Sequence, residues 1–589
     1  MDKERVAEIL LEIGVLLELK GENPFKTRAY SNAARALETL NESLETLVQE
    51  GRLGEVKGIG SALQEKITEL VTSGRLDYYE KLKASFPCTL LSLLQLPGLG
   101  PKKVKALYEK LGITSIEALE QACRESKIAG LDGFGEKTQT NILEGISLRS
   151  KYASKHHLSS ALAVAEPVLE SLRMHPEVIR CSLAGSVRRN KEVIGDIDFL
   201  ASSKAPADVI EYFVQQKGVI SVSAKGDTKA SVVLEGGIQA DLRVVTDKEF
   251  PFALAYFTGS KEHNIVMRQR AIQRGLRLNE YGLFRSAEET RDPALLVACA
   301  TEEEIYSTLD LTYVPPELRE DQGEFEAAEK GEVPRLVEWT DLKGSLHNHT
   351  NWSDGKGTPE EVARFMDRLG LSYWAITDHS KSSIQAHGLL PERLHEQLTE
   401  IARINKVFES EGSEFRLLSG SEVDILAESK LDFDDDLLAR LDVVVASIHN
   451  GFSSNEADMT RRLIRAAENP YVHMLGHLTG RLLLSREAYR INHKAIIDAC
   501  AETGTWIELN ATPNRFDMDW RHWKYAKSKG VKCVINCDAH RVEQAGFLRL
   551  GAGVARKGWL TKADVINTLP LLQLRAALRE KRARLGVLS

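Results

Sequence analysis

In the segment GDIDFLAS at 195–202, Asp196 and Asp198 alternate with Ile197 and Phe199. Alternate side chains of a strand leave opposite faces, so the two carboxylates share one face while the apolar pair turns to a core. Two acids beside a turn suit hard divalent cations. A third, Asp241 in IQADLRVV, alternates with Ile238, Ala240, Leu242 and Val244 on a second strand. Three such acids can hold two Mg²⁺ or Mn²⁺ about 3.5–4 Å apart, which activates an attacking hydroxyl and stabilises a leaving oxygen. Upstream, Gly185-Ser186 closes a strand and Arg188 and Arg189 follow. A glycine turn, a hydroxyl and arginines make a clamp for the β- and γ-phosphates of a nucleotide.

A second set of reactive residues lies far downstream. Of 15 histidines, 11 fall after residue 340. HNHTNWSDG supplies His347, His349 and Asp354; TDH supplies Asp378 and His379; GSEVD supplies Glu422 and Asp424. SIH, GH and CDAH add His449, His477, Asp538 and His540. Imidazoles and carboxylates converging from several strand ends suit Mn²⁺, Zn²⁺ or Fe²⁺. Nine of them (His347, His349, Asp354, His379, Glu422, His449, His477, Asp538 and His540) are too many for one ion and fit about three. His387, His395, His473, His493 and His522 lie off these strand ends and read as core or surface histidines. Asn510 and Arg515, in IELNATPNRFD, are candidates for orienting a substrate phosphate.

The third pattern repeats. VKGIGSAL (56–63), LPGLGPKKV (96–104) and LDGFGEKTQ (131–139) each have Gly-apolar-Gly leading into a helical segment. Gly58 and Gly60, Gly98 and Gly100, and Gly133 and Gly135 permit a tight turn with exposed N–H groups, and the helix adds its positive end. Such nests bind phosphate without side-chain charge. One copy would be only a turn; three copies favour a grip on a nucleic-acid backbone.

The elements that position these groups follow from periodicity. Residues 1–150 read as short helices, with apolar stripes in VAEILLEIGVLLEL, ITELVTSG and VKALYEKLG. From about 158 to 315, short strands (VIRCSLAG, DIDFLAS, ASVVLEG, QADLRVV) alternate with helices. Residues 317–340 hold eight acids, follow Pro315-Pro316 and carry Pro334, the pattern of a linker. Beyond them, seven strand-then-helix units (KGSLH, YWAIT, FRLLSGSE, DVVVASIH, VHMLGH, TWIELN, KCVINCD) predict an α/β barrel, distorted from the common eightfold form.

At 589 residues the chain needs several cores. No apolar run approaches the roughly 20 residues of a membrane span, and the start MDKERVAEILLEIG does not read as a signal peptide. Seven scattered cysteines form no disulfide framework, which suits a reducing cytoplasm; Cys533 and Cys537 read as buried structural thiols. The net charge of −8 argues against coating nucleic acid by bulk attraction, but not against local patches and backbone amides.

The ordered set of GSVRR, DID and a later strand aspartate resembles a nucleotidyltransferase palm. YFTGSKEHNIVMR (256–268) with GLRLNEYGLF (275–284) is similar to the thumb signature of family X DNA polymerases, and the glycine turns resemble helix-hairpin-helix motifs. The nine-ligand set resembles the polymerase-and-histidinol-phosphatase (PHP) domain. The pairing is the bacterial and archaeal form of the family. It implies a multidomain α+β and α/β chain: a helical DNA-binding domain (1–80), a fingers-like helical domain (81–150), a palm (151–250), a thumb (251–316), a linker (317–340), a distorted (β/α)7 PHP barrel (341–575) and a tail (576–589).

The resemblance further implies gap-filling synthesis in DNA repair, beside Mn²⁺-favoured 3′→5′ exonuclease, 3′-phosphoesterase and abasic-site endonuclease activity. Its partners would be gapped or nicked duplex, primer-template and dNTPs, with a monomer on the cytoplasmic nucleoid. By position, Tyr256 and Phe257 pack on the incoming sugar, Gly259 allows close approach, Asn264 faces the base's minor-groove edge and Arg268 the template side. Lys261 stands where vertebrate members carry aspartate, and Gln239 where they carry arginine. Lys225 and Lys229 are candidate DNA-backbone contacts. Lys66 matches the Schiff-base lysine of eukaryotic repair members, but Ala62 replaces its supporting lysine, so the residues favour a solvated helix lysine. In the barrel, Glu422 would bridge two metals that activate water for attack on phosphorus.

Overall fold

The computed structural model describes residues 3–587 apart from 39, 41, 88, 97, 287, 289 and 290. Met1 and Asp2 at the chain start, Cys88, Pro97 of the second glycine turn, and residues 588–589 lie outside that set. The chain forms two compact units, Met1–Ala153 and Ser154–Ser589. Among the described residues no helix is long and apolar enough to cross a membrane.

The first unit is all helical. Helices Lys3–Lys20 and Pro24–Glu38 bury Leu10, Ile13, Leu17, Ala33 and Leu37 in a core shared with Ile67 and Leu70 of helix Ser61–Ser73 and Val104 and Leu107 of helix Pro101–Leu111. Helix Glu136–Tyr152 adds Ile142 and Ile146. The helices after the three glycine turns start at Gly60, Gly100 and Gly135, none with a side-chain capping hydrogen bond. Their first N–H groups are therefore left for another acceptor.

The second unit begins with a five-stranded sheet. Its order is Val178–Leu183, Asp196–Ser203, Gln239–Val245, Lys229–Leu234, Val219–Lys225, and only the pairing of Asp196–Ser203 with Gln239–Val245 is parallel. Phe199 and Leu242 on its buried face meet Leu169 and Leu172 of helix Leu158–Met174 and Phe213 of helix Pro206–Val214. Helices Phe250–Thr258 and Lys261–Gln273 and a small antiparallel sheet follow. The barrel then closes around seven parallel strands, from Gly344–Ser345 to Cys533–Asn536 in sequence order. An Asn348–Ala539 bridge and the His349 N–H on Ala539 O at 2.8 Å join the first strand region to the last. Cys533 and Cys537 are buried.

Two segments differ from the sequence expectation. Residues 317–340 do not behave as a solvated tether. Glu317 pairs with Arg556 (2.7 Å), Glu320 with Lys557 (2.5 Å) and Glu324 with the His263 ring (2.8 Å), while Leu318, Phe325 and Ala328 enter a core with Phe252 and Tyr306. These acids are matched by two cations and a buried imidazole remote in sequence, so composition alone read them as solvated. Nor is 576–587 a free tail. Helix Leu571–Arg584 plugs the barrel floor with Leu574 and Leu578 against Tyr373, Leu418 and Trp506. Its buried Lys581 donates to Ala467 O, Thr503 O and Thr505 Oγ1 at 2.8–3.2 Å.

Candidate functional sites

In the first sheet Asp198 lies in register with Asp241, and Asp196 with Gln239, on adjacent parallel strands. The three acids therefore stand together at one sheet face. The turn before them is fitted to that cluster: Gly185 has φ +56°, and a Cβ there would lie 2.0 Å from Asp198 Oδ2. Only glycine lets the backbone pass so close. An open cleft of about 400 Å³ is lined by Gly185, Ser186, Arg189, Asp196 and Asp198 on one side. Tyr256, Phe257, Gly259, Lys261, Asn264 and Arg268 line the other.

The electrostatics of this cleft call for cations. Burial, then the neighbouring charges of Asp196 and Asp241, push the Asp198 carboxyl up to about 6. Asp241 Oδ1 and Ser186 Oγ are buried without a hydrogen-bond partner among the described residues. Lys229 Nζ, 2.9 Å from Asp241 Oδ2, supplies part of the missing positive charge. Crowded acids with an orphaned carboxylate oxygen fit divalent ions at Asp196, Asp198 and Asp241.

The two arginines of the turn have different fates. Arg189 lines the cleft, held by Glu320 at 3.0 Å and by the Thr258 carbonyl. Arg188 is turned away, onto Glu302 at 2.5 Å and Thr258 Oγ1 at 2.6 Å, so it does not share the phosphate clamp. Asn264 Nδ2 donates to Tyr256 O at 2.7 Å, and the Tyr256 and Phe257 rings meet edge to face at 5.2 Å. Lys225 pairs with Glu211 and Lys229 with Asp241, so both candidate DNA-contact amines already have protein partners. Lys66 is half-exposed, its amine on Ala62 O at 3.0 Å and 5.1 Å from the Tyr78 ring, the setting of a solvated helix lysine.

At the barrel's C-terminal rim all nine predicted residues converge. Glu422 is the hub: its oxygens lie 2.8 Å from His477 Nε2, 2.9 Å from His379 Nδ1, 3.3 Å from His449 Nε2 and 3.4 Å from His347 Nε2. Asp538 stands 3.1 Å from His349 Nε2, and Asp354 stands 3.3 Å from His540 Nε2. Ligand atoms group as His349–Asp354–His379–His540, His347–His349–Glu422 and His379–Glu422–His449, each within 4.8 Å. His347 Nε2, His349 Nδ1 and His477 Nδ1 are buried without hydrogen-bond partners among the described residues. Orphaned imidazole nitrogens around a buried carboxylate fit several metal ions. Burial opposes the charged form of His449 and His540, yet Glu422 with Asp424, and Asp354 with Asp538, raise both to about 9.

Other strand-end acids hold these residues in place rather than join the cluster. Asp424 accepts from His449 Nδ1 at 2.5 Å. Asp378 accepts from Thr350 N, Ser353 Oγ and Gln397 Nε2, fixing the loop that presents Asp354. Glu508, which sequence reasoning missed, is fully buried. It meets His347 Nδ1 at 2.7 Å and accepts from His477 N at 2.6 Å and Asn536 Nδ2 at 3.0 Å. It leaves the His347 Nε2 lone pair facing Glu422. Its only sequence signal is an acid in an otherwise apolar strand, IELN. Asn510 Nδ2 donates to Asp538 Oδ2 at 3.0 Å, and Arg515 Nε lies 3.7 Å from the same atom. Among the off-rim histidines, His473 is buried and accepts from Val444 N, while His493 and His522 stack at 3.9 Å.

Such a cleft and barrel define a nucleotidyltransferase joined to a PHP-type metal centre, and the comparisons agree. Residues 1–76 match a helix-hairpin-helix domain, 90–147 a SAM-like helix-hairpin-helix tandem, 253–320 the DNA polymerase beta thumb and 345–512 the PHP domain. The chain is 39% identical over 581 residues to the DNA polymerase/3′-5′ exonuclease PolX of Bacillus subtilis, covering 98% of this chain and 100% of that one. It therefore belongs to the family X DNA polymerases that carry a C-terminal PHP domain. It is also 29% identical, over 41% of its length, to 96% of a probable phosphatase of Thermoanaerobacter sp. strain X514.

Proposed function

We propose that this protein fills short gaps in DNA during repair and trims 3′ ends at a separate barrel site. The observation that carries the reading is the convergence of two complete residue sets in a chain similar to PolX along its full length. The eleven cleft residues give a nucleotide a phosphate turn at one end and an aromatic platform at the other. Two Mg²⁺ or Mn²⁺ at Asp196, Asp198 and Asp241 would activate the primer 3′-hydroxyl and stabilise the departing pyrophosphate. Within that frame, Gly185 and Ser186 offer backbone and hydroxyl donors to the triphosphate and Arg189 adds a fixed positive charge. Tyr256 and Phe257 bound the sugar, and the Asn264 carboxamide stands anchored on Tyr256 O beside the base. The unlatched N–H groups at the three glycine turns take DNA phosphates without reading sequence.

In the barrel, about three Mn²⁺, Zn²⁺ or Fe²⁺ would activate water and bind the phosphoryl oxygens. Glu422 is placed to be shared between ions, Glu508 and Asp424 fix the tautomers of His347 and His449, and Arg515 meets the phosphate. Hydrolysis at an abasic site is the same phosphodiester chemistry on a different sugar. The reading places a monomer on DNA in the cytoplasm. Extension of a 5′-labelled primer on a one-nucleotide gap tests it, with dNTPs for addition and without them for shortening. Shortening with no template-directed addition under either Mg²⁺ or Mn²⁺ would leave only a barrel phosphoesterase.

A further inference from the structure

Two ligand loops of the barrel end in one stack. Phe452 follows His449 by three residues and Gly480 follows His477 by three. The Phe452 ring lies on Tyr489 at 5.6 Å and 17°, and the Arg486 guanidinium lies 4.6 Å from the Phe452 ring centre. Arg486 Nε and Nη2 both donate to Gly480 O, at 3.0 and 2.7 Å. The side chain is exposed yet held in place by these two bonds, and no ion pair to a carboxylate is formed by it among the described residues. The same loop is tied to the one carrying Arg515: Leu483 N donates to Asn514 O at 2.6 Å and Arg481 Nε to Arg515 O at 2.8 Å. Arg515 keeps Nη1 buried without a partner among the described residues. Burial and the Arg515 charge both lower the pKa of Arg486, and the weaker opposing effects of Tyr489 and Asp517 do not offset them.

An unpaired, pre-oriented guanidinium beside the one that faces the metal cluster calls for a second anion next to the first. We propose that Arg486, braced by Phe452, binds the phosphodiester adjacent to the one being hydrolysed, which makes this rim a polynucleotide subsite. The inference rests on the nuclease reading of the barrel. A small phosphate ester has no neighbouring phosphodiester and gains nothing from Arg486; a DNA strand does. Arg486 thus separates a nuclease substrate from a small-molecule one.

The test uses the full-length, metal-loaded protein and Arg486→Gln, with a single-stranded oligonucleotide and with the p-nitrophenyl ester of thymidine 5′-monophosphate, which carries one phosphodiester. For the oligonucleotide, KM should rise about tenfold, the scale of one lost charge-assisted contact, with kcat unchanged. The slope of log(kcat/KM) against log salt should shrink by about 0.7, one phosphate's share on single strands. Hydrolysis of the ester and primer extension should not change. In EDTA, a fluorescent trinucleotide should bind the variant more weakly, and Arg486→Lys should recover part of the salt slope. An unchanged oligonucleotide KM, or equal losses on both substrates, would overturn the proposal. Wild type that cleaves the ester but no oligonucleotide would overturn the nuclease reading itself, and the subsite with it.

Discussion

Gly185 and Asp198 sit so close that no side chain fits at 185: the absent Cβ is what lets the turn lie against the acid. Asp198→Asn keeps that shape and removes the charge. Nucleotide addition should fall by at least ~10²–10³-fold in kcat, the range for losing a group that stabilises transition-state charge, while exonuclease activity is retained. Single-turnover primer extension and shortening on one substrate check both halves. The reverse holds in the barrel. Glu508→Gln keeps the volume but loses the charge behind His347. Metal affinity should drop about 10–100-fold, read by titration calorimetry, with nucleotide addition intact. An unchanged metal affinity would mean that Glu508 only fills the strand. The nine rim residues could be picked out because each lies in a short polar motif at or beyond the end of an apolar strand. Glu508 could not, since one buried acid in IELN looks like any strand residue until His347 is seen beside it.

At the scale of elements, buried Glu302 and Arg319 with half-buried Arg188 join the Gly185 turn to helix Glu302–Thr308 and to the segment after Pro316. Burial alone would raise the Glu302 pKa, but Arg319 and Arg188 outweigh it and hold the carboxyl at about 2 against an ordinary 4.5. A depressed acid gives stability that is fully present above pH 4.5 and is lost as pH falls toward 2. Glu302→Gln should therefore cost about 3–5 kcal/mol at neutral pH, because it strands the buried Arg319, and should flatten that part of the acid-unfolding curve. Urea titrations at pH 7 and pH 3 measure both effects. Equal acid sensitivity in the variant would show that other carboxylates set it. The palm strands could be read from alternation around Asp196 and Asp241, and the barrel from its seven strand–helix units. The 317–340 segment could not, because Glu317 and Glu320 are paired with Arg556 and Lys557 and Glu324 is hydrogen-bonded to the His263 ring, partners that no local pattern announces. The glycine turns add a further test. Gly133 has φ +84° with open space above it. Gly133→Ala costs about 1–2 kcal/mol of local strain and sets a methyl group where a phosphate would approach. Gapped-duplex affinity, measured by anisotropy, should fall with no change in nuclease activity on a short single strand.

The whole molecule carries a net charge of −8 and still has to hold DNA. On the proposed reading, glycine-turn N–H groups and a few placed arginines meet that need where a basic surface does not. Within the second unit the two chemistries share a seam. Arg189 O accepts from Lys557 Nζ at 3.4 Å, and Glu192 of the same loop pairs with Arg481 at 2.5 Å. Arg481 in turn holds the Arg515 carbonyl. The central claim is that two separate metal sites in this one chain do opposite things to a primer end. The most direct test puts wild type, Asp198→Asn and Glu422→Gln on the same 5′-labelled, one-nucleotide-gapped DNA with Mn²⁺, with and without dNTPs. Wild type should extend with dNTPs and shorten without them, Asp198→Asn should only shorten, and Glu422→Gln should only extend. Loss of both activities from either single substitution would contradict the two-site account.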